Sequence, residues 1–362
     1  MCAPAYLTSD GMLMNRPARL RVDYLPREQL LARPDSWWQT VLGVVPFDRR
    51  QPFPTDRDIP IAPVPLLELG TTSSTCEVWR ALGPLQSGHS GELHYRAGAQ
   101  VLFGRLVMRE PASATGDRNG STTLQQITIQ AYAQLFATLD KLGYPNLLRV
   151  WNYLAQINAN SPQGERYHEF NSARRQAFLR AGRTIEGQVP AASALGSEAG
   201  SPLVIYFLAS ASAVRSLENP RQVSAFRYPA EYGPDSPTFS RAAIANGLNG
   251  NCLFISGTAS ILGHSTVHVG NVAAQTRESI ANIAFLTAEA NQLSGTNCYG
   301  IEALQYKVYL RHASELGEIR RELALQLPTS CPITYLHADI CRRDLLVEIE
   351  AVSSPASDSN SG

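Results

Sequence analysis

No CxxC pair, no apolar run approaching the roughly 18 residues of a membrane helix, and no surplus of either charge occurs in this sequence. The charges balance at 31 basic against 31 acidic residues, so no broad polyanion-binding surface is expected and nucleic acid is not an expected partner. A small anion needs only a few local arginines, and neutrality leaves that open. The six cysteines, at 2, 76, 252, 298, 331 and 341, are scattered, and a chain of 362 residues does not need disulfide staples. They read as free thiols in a reducing compartment. Residues 1–16 carry no basic stretch followed by an apolar core, so they do not read as a secretory signal. A Gly-rich phosphate loop and a Ser-His-Asp pattern are also missing. The expectation is a soluble, cytoplasmic protein with no membrane partner.

What is present is apolar material, 44% of the residues, enough for a sizeable core and two domains. Residues 111–123 and 187–202 are rich in small and turn-forming residues and read as a loop and an interdomain linker; the tail from 353 reads as disordered. Between them two stretches repeat one order of signals. The first is a strand over 99–104, an amphipathic helix over 124–142 and a strand over 147–154. The second is a strand over 251–256, a helix over 272–290 and a strand over 303–310, followed by a helix over 313–327 and a closing strand over 345–351. Apolar spacings of three and four mark the helices, and β-branched and aromatic residues mark the strands. Arg149–Glu186, with a helix over 165–181, has no counterpart in the second stretch on this reading. The fold class is therefore α+β, two sheet-and-helix domains, bounded at 17–186 and 203–352.

The second domain, from Pro229 to Val352, resembles the RidA/YjgF (chorismate mutase-like) fold. The resemblance rests on YGPDSPTFSRAAIANGLNGNCLFISG, NVAAQTRESIANIAFLTAEA and DLLVEIEA. RidA-type imine deaminases hold a substrate carboxylate with an arginine two residues before a cysteine. Here the matching stretch is Thr329-Ser330-Cys331, without the arginine, which counts against that activity. Over residues 20–352 the chain resembles the chorismatases instead, through RVWNYLAQIN, GERYHEFNSARRQAF, AFRYPAEYGPDSPTFSRA, ISGTASILGHSTVHVGN and HADICRRDLLVEIEA. The likeness is greatest to the xanthomonad subgroup of these bacterial enzymes. It implies two RidA-like domains in a pseudo-symmetric arrangement. It also implies release of pyruvate from chorismate, giving 3-hydroxybenzoate, in some members with 4-hydroxybenzoate, and in others a dihydrodiol. Two fused domains imply a monomer.

Cleaving an enol ether is easiest once its methylene carbon is protonated. The reaction needs an acid that stays protonated near neutral pH and donors for two carboxylates, with no metal and no cofactor. The resemblance puts the acid at Glu348; alternation along Leu346–Glu350 sends Glu348 and Glu350 to one strand face, and Glu350 is the alternative. The plain reading of either is a solvated strand carboxylate. Cys341, seven residues earlier, matches a position where the resemblance links cysteine to hydroxybenzoate formation; otherwise it is a small buried hydrophobe. Arg166 and Arg227 are taken as the carboxylate clamps with Tyr153 and Tyr206 as hydroxyl partners. Tyr167, Arg174, Arg175 and Arg241 are the reserves, and the plain reading of each arginine is a surface ion pair. Gly257 and Ala259 fall near a second reaction-directing position. His264 and His268 form an HxxxH flanked by glycines with no acidic third ligand, so they read as a polar loop and not a zinc site. The alternatives to a hydroxybenzoate-forming enzyme are a chorismate hydrolase, an imine deaminase and a small aromatic-acid binding protein.

Overall fold

The structure, a computed structural model, describes residues 20–48, 52–54, 56–111, 121–161, 164–245 and 252–353. Residues 1–16, read from sequence as carrying no secretory signal, Cys2 among them, most of the 111–123 loop and the tail from 354 lie outside the described residues; Ser353 ends the closing strand. The first unit contains β1 (Gln86–Ser90), β2 (Leu93–Ala97), β3 (Val101–Met108), α1 (Thr123–Leu142), β4 (Asn146–Ala155), α2 (Arg166–Arg180), β5 (Ala191–Ser197) and β6 (Leu203–Ser210). The second contains β7 (Val214–Leu217), β8 (Ala242–Ala245), β9 (Cys252–Thr258), α3 (Val272–Ser294), β10 (Leu304–Leu310), α4 (Leu316–Gln326), β11 (Ile333–His337) and β12 (Val347–Ser353).

The sheets run β5-β4-β6-β3-β2-β1 and β11-β10-β12-β9-β8-β7, the second extended by Leu67–Glu68 beside β11. The two orders are the same strand for strand. In each, one outer pair (β5 with β4, β11 with β10) is parallel and the neighbouring pairs are antiparallel. The expected duplication is thus visible in the topology. Three sequence readings change. The linker 187–202 contains β5, a mostly buried strand. Leu203–Ser210, assigned to the second domain, is central in the first sheet, so the first unit runs to 210. Finally, α2 occupies the place of α4, so the arginine-rich segment does have a counterpart. Ala, Ser and Gly in β5 have the composition of a linker, but small side chains suit a strand packed on both sides.

Local chemistry explains the helices. Thr122 and Gln125 form a reciprocal capping box at the start of α1, and Gly143 closes it with φ +79°. Asn271 accepts from the Ala274 N–H at 2.9 Å to start α3, and Gly295 ends it with φ +62°. Helices α1 and α2 bury Leu135, Phe136 and Phe178 against Val150, Leu154 and Phe207 of the first sheet. Helix α3 buries Ile280, Ile283 and Leu286 against Leu253, Ile255 and Ile349 of the second. The other faces of the sheets meet: Tyr153, Tyr206, Phe254 and Tyr309 share one core. The layers are therefore helix, sheet, sheet, helix. A separate three-stranded sheet, Arg21–Pro26, Thr75–Arg80 and Val41–Pro46, adds Trp79 and Leu42 to that inter-sheet core. No helix of the described residues is long and apolar enough to cross a membrane.

Candidate active site

Strand β12 shows the period of two that its sequence carries. Val347 and Ile349 enter the α3-side core, while Glu348 and Glu350 face the other way. Both carboxyls are buried, Glu348 at 4% and Glu350 at 3% exposure, yet their surroundings differ. Glu350 receives Arg149 at 2.6 Å, Lys307 at 2.6 Å, Trp151 Nε1 at 2.7 Å and the Ser193 hydroxyl at 2.8 Å. Burial alone would push its carboxyl up; Lys307 and Arg149 outweigh that and hold it below the usual range. Among the described residues no cation is within ion-pair distance of Glu348. Burial first, then the charge of Glu350, push its carboxyl up from 4.5 to about 8, against weaker opposing pulls from Arg149, Arg241 and Arg311. One strand thus carries a carboxylate and, two residues away, a carboxylic acid.

Glu348 lines a cleft of about 360 Å³ between the units, within the usual range of about 300–1,000 Å³ for small-molecule sites. Beside it opens a side chamber of about 40 Å³, walled by Asn152, Ser193, Gly257 and Glu348. Gly257 makes room for the acid: a Cβ there would lie 1.8 Å from Glu348 Oε1. Its N–H donates to Ser193 Oγ at 3.0 Å, which ties β9 to β5. Further bonds, Gly196 N–H to the Asp339 carbonyl at 2.7 Å and Ala192 N–H to Ser256 Oγ at 2.9 Å, make β5 the seam between the two units.

Cys341 is beside the acid, its Sγ 4.0 Å from Glu348 Oε2. Burial, then the neighbouring Glu348, push its thiol up to about 12, so it is a neutral thiol near pH 7 and not a ready nucleophile. The loop that carries it is stapled by Arg311, which donates to Asp339 Oδ1 at 2.8 Å and to the carbonyls of Ile340 (2.9 Å), Arg342 (2.8 Å) and Leu345 (2.8 Å). Ala259 also lines the cleft.

The clamp residues chosen from sequence are elsewhere. Arg166 opens α2 and turns to Glu110 at 2.5 Å and to the Ala155 carbonyl at 2.8 Å. Arg227 points to solvent, its side chain 70% exposed and 4.0 Å from Glu186. Tyr153 follows the alternation of β4 into the inter-sheet layer, where its hydroxyl meets that of Tyr309 at 3.0 Å. Tyr206 is in the same layer, accepting from Lys307 at 2.9 Å and donating to Glu77 at 3.2 Å. None of the four lines the cleft. Of the reserves, Tyr167 and Arg241 do. Arg174 walls only the side chamber, and Arg175 faces Asp235 at 3.6 Å.

The cations that do line the cleft are Arg241, Arg342 and Arg343. Arg241 is fixed by the Val223 carbonyl at 2.9 Å and the Tyr228 hydroxyl at 2.6 Å. Arg342 stacks on Tyr232, 3.9 Å from the ring centroid, and donates to the His264 carbonyl at 2.8 Å. Arg342 and Arg343 directly follow Cys341, so adjacency to that residue was the available signal. His264 and His268 face different partners, His264 meeting Tyr232 at 3.2 Å and His268 meeting Glu278 at 3.8 Å. Cys76, Cys252, Cys331 and Cys341 are free thiols.

Known proteins match this chain along most of its length. The family described as "Chorismatase FkbO/Hyg5-like, N-terminal" matches residues 77–209. A chorismatase of Streptomyces rapamycinicus is 37% identical over 286 residues, which cover 77% of this chain and 82% of that protein. A 3-hydroxybenzoate synthase of Streptomyces hygroscopicus is 34% identical over 333 residues, 87% of this chain and 92% of its own. A crystal structure of a chorismatase superposes with a TM-score of 0.83 at 30% identity, covering 94% of this chain and all of that one.

Proposed function

This chain belongs to the chorismatase family, and from that premise we propose that its cleft converts chorismate to 3-hydroxybenzoate and pyruvate, with 4-hydroxybenzoate as a possible second product. The observation that carries the reading is the pair Glu348 and Glu350. A buried carboxyl pushed up to about 8 holds a transferable proton at neutral pH, and the neighbouring carboxylate helps keep it there. Glu348 gives its proton to the enolpyruvyl methylene. The C3–O bond then breaks with its electron pair going to the ether oxygen, which becomes the keto group of pyruvate. The ring 4-hydroxyl bonds to C3 and returns a proton to Glu348. Opening of the C4–O bond leaves the oxygen on C3, and transfer of the C3 proton to that oxygen restores aromaticity. No water is consumed, and the two products together have the composition of chorismate.

Arg241 and Arg342, both lining the cleft and both anchored on one side, are the donors for the substrate carboxylates; Tyr228 and Tyr232 hold their guanidinium planes. Cys341 walls the acid as a neutral thiol. The side chamber favours a second reading. At about 40 Å³ it is close to the roughly 30 Å³ that one water occupies in the liquid, and a water beside Glu348 leads to the dihydrodiol. Incubating the purified chain with chorismate, without added cofactor, and separating the products chromatographically tests both. Formation of 3-hydroxybenzoate and pyruvate in equal amounts is expected. Dihydrodiol alone would favour hydrolysis, and unchanged chorismate would remove both.

A further inference from the structure

Away from the cleft, the β1–β2 hairpin turns through Gly91, at φ +57°, and Glu92, which sets His89 directly opposite His94. Their rings stack at 3.9 Å between centroids with planes 19° apart. Both Nε2 atoms approach one oxygen of Asp58, His94 at 3.1 Å and His89 at 3.5 Å. The loop that carries Asp58 is held to the hairpin by Ser87, whose hydroxyl donates to the Asp58 carbonyl at 2.5 Å. Arg105, opposite His94 on β3, donates to the Glu92 carbonyl at 3.4 Å.

We propose that Asp58, His89 and His94 form a binding site for a divalent transition cation of the zinc class, which cross-links the 56–60 loop to the β1–β2 hairpin. Two imidazoles and one carboxylate are the donor set such ions take. Ligands at 2.0–2.1 Å from a tetrahedral ion lie about 3.3–3.4 Å from one another, and the two nitrogen–oxygen separations fall on either side of that value. All three donor atoms lie within 4.8 Å of one another. The His94 side chain is 8% exposed and anchors the site from below, while His89 at 59% and Asp58 at 66% leave the outer face open, so water completes the coordination. The role is structural: none of the three lines the cleft.

The test uses the full chain without a polyhistidine tag, stripped with chelator, dialysed and titrated with Zn²⁺ by calorimetry, with thermal melting in parallel. One ion per chain and a rise in Tm are expected. His89→Ala, at an exposed position where folding is not at stake, and Asp58→Asn should each weaken Zn²⁺ binding by at least about tenfold and abolish the Tm rise. Chorismate turnover should be the same in both variants as in the parent. A parent chain that takes up no Zn²⁺ would overturn the proposal, as would either variant that binds it as the parent does.

Discussion

Replacing Glu348 by Gln keeps the shape of the side chain and removes its acidity, and the structure fixes what this should do to stability as well as to turnover. The folded carboxyl is pushed up to about 8, chiefly by burial, from an ordinary 4.5. The folded state therefore keeps a proton that the unfolded chain releases once the pH passes 4.5. The destabilisation is nearly absent below that value, grows through the window from 4.5 to 8, and levels off above 8. Linkage puts it at about 1 kcal/mol at pH 5, about 3 kcal/mol at pH 7 and about 5 kcal/mol at pH 9. Glu348→Gln has no such proton, so its advantage over the parent should widen by about 4 kcal/mol between pH 5 and 9. Urea midpoints of both proteins at pH 5, 7 and 9 measure this. Turnover should fall by about 10²–10⁴-fold in the same variant, and the turnover of the parent should decline as pH rises through about 8. A stability difference that does not change with pH would refute the reasoning, because it would mean that Glu348 titrates as an ordinary carboxyl.

Three further outcomes follow from the same geometry. Gly257→Ala sets a methyl 1.8 Å from Glu348 Oε1 and must displace the acid, so kcat should drop by at least about tenfold while the urea midpoint changes little. Arg342→Ala should raise KM for chorismate by about tenfold or more, whereas Arg227→Ala, at a solvent-facing side chain, should leave both constants unchanged; steady-state kinetics separates the two. Lys307→Met leaves Glu77 and Glu350 buried without the ammonium that touches both at 2.6 Å, and should cost about 3–5 kcal/mol of stability by urea unfolding at pH 7.

The elements with a strong period were legible from sequence. The helices α1 and α3 and the strands β4, β9, β10 and β12 fall within a few residues of where their patterns place them. The alternation that sends Glu348 away from Val347 and Ile349 was readable for the same reason. Strand β5 was not, because Ala-Ala-Ser-Ala-Leu-Gly-Ser shows no apolar face; it is a strand because β4 pairs along one edge and β9 and Asp339 hold the other. The arginines were not readable either. Arg166 and Arg342 are the same residue type in equally suggestive stretches, and only the fold turns one to Glu110 and the other to the cleft. Asp58 is 36 residues from His94, so no local spacing announces that the two meet.

The repeated topology also bears on why the proposed acid occurs in one sheet and not in both. Pairing registers equate β4 with β10 and β6 with β12: Val204 faces Tyr153 as Glu348 faces Tyr309, and Tyr206 faces Trp151 as Glu350 faces Lys307. The equivalent of the acid in the first unit is thus Val204, fully buried in the inter-sheet core. That core already holds two carboxyls, Glu77 and Glu350, against two cations, Arg149 and Lys307, each carboxyl in contact with a cation at 2.6 Å. A third ionised carboxyl would have no partner, and Glu348 avoids the problem by staying protonated. A fourth at position 204 would need a second retained proton with no cleft to deliver it to. The first unit instead contributes walls: the opening turn of α2 brings Tyr167 and His168 to the cleft, and β5 brings Ser193 to Gly257. The repeated topology provides two scaffolds, and on the proposed mechanism the limit on buried charge leaves the acid to one.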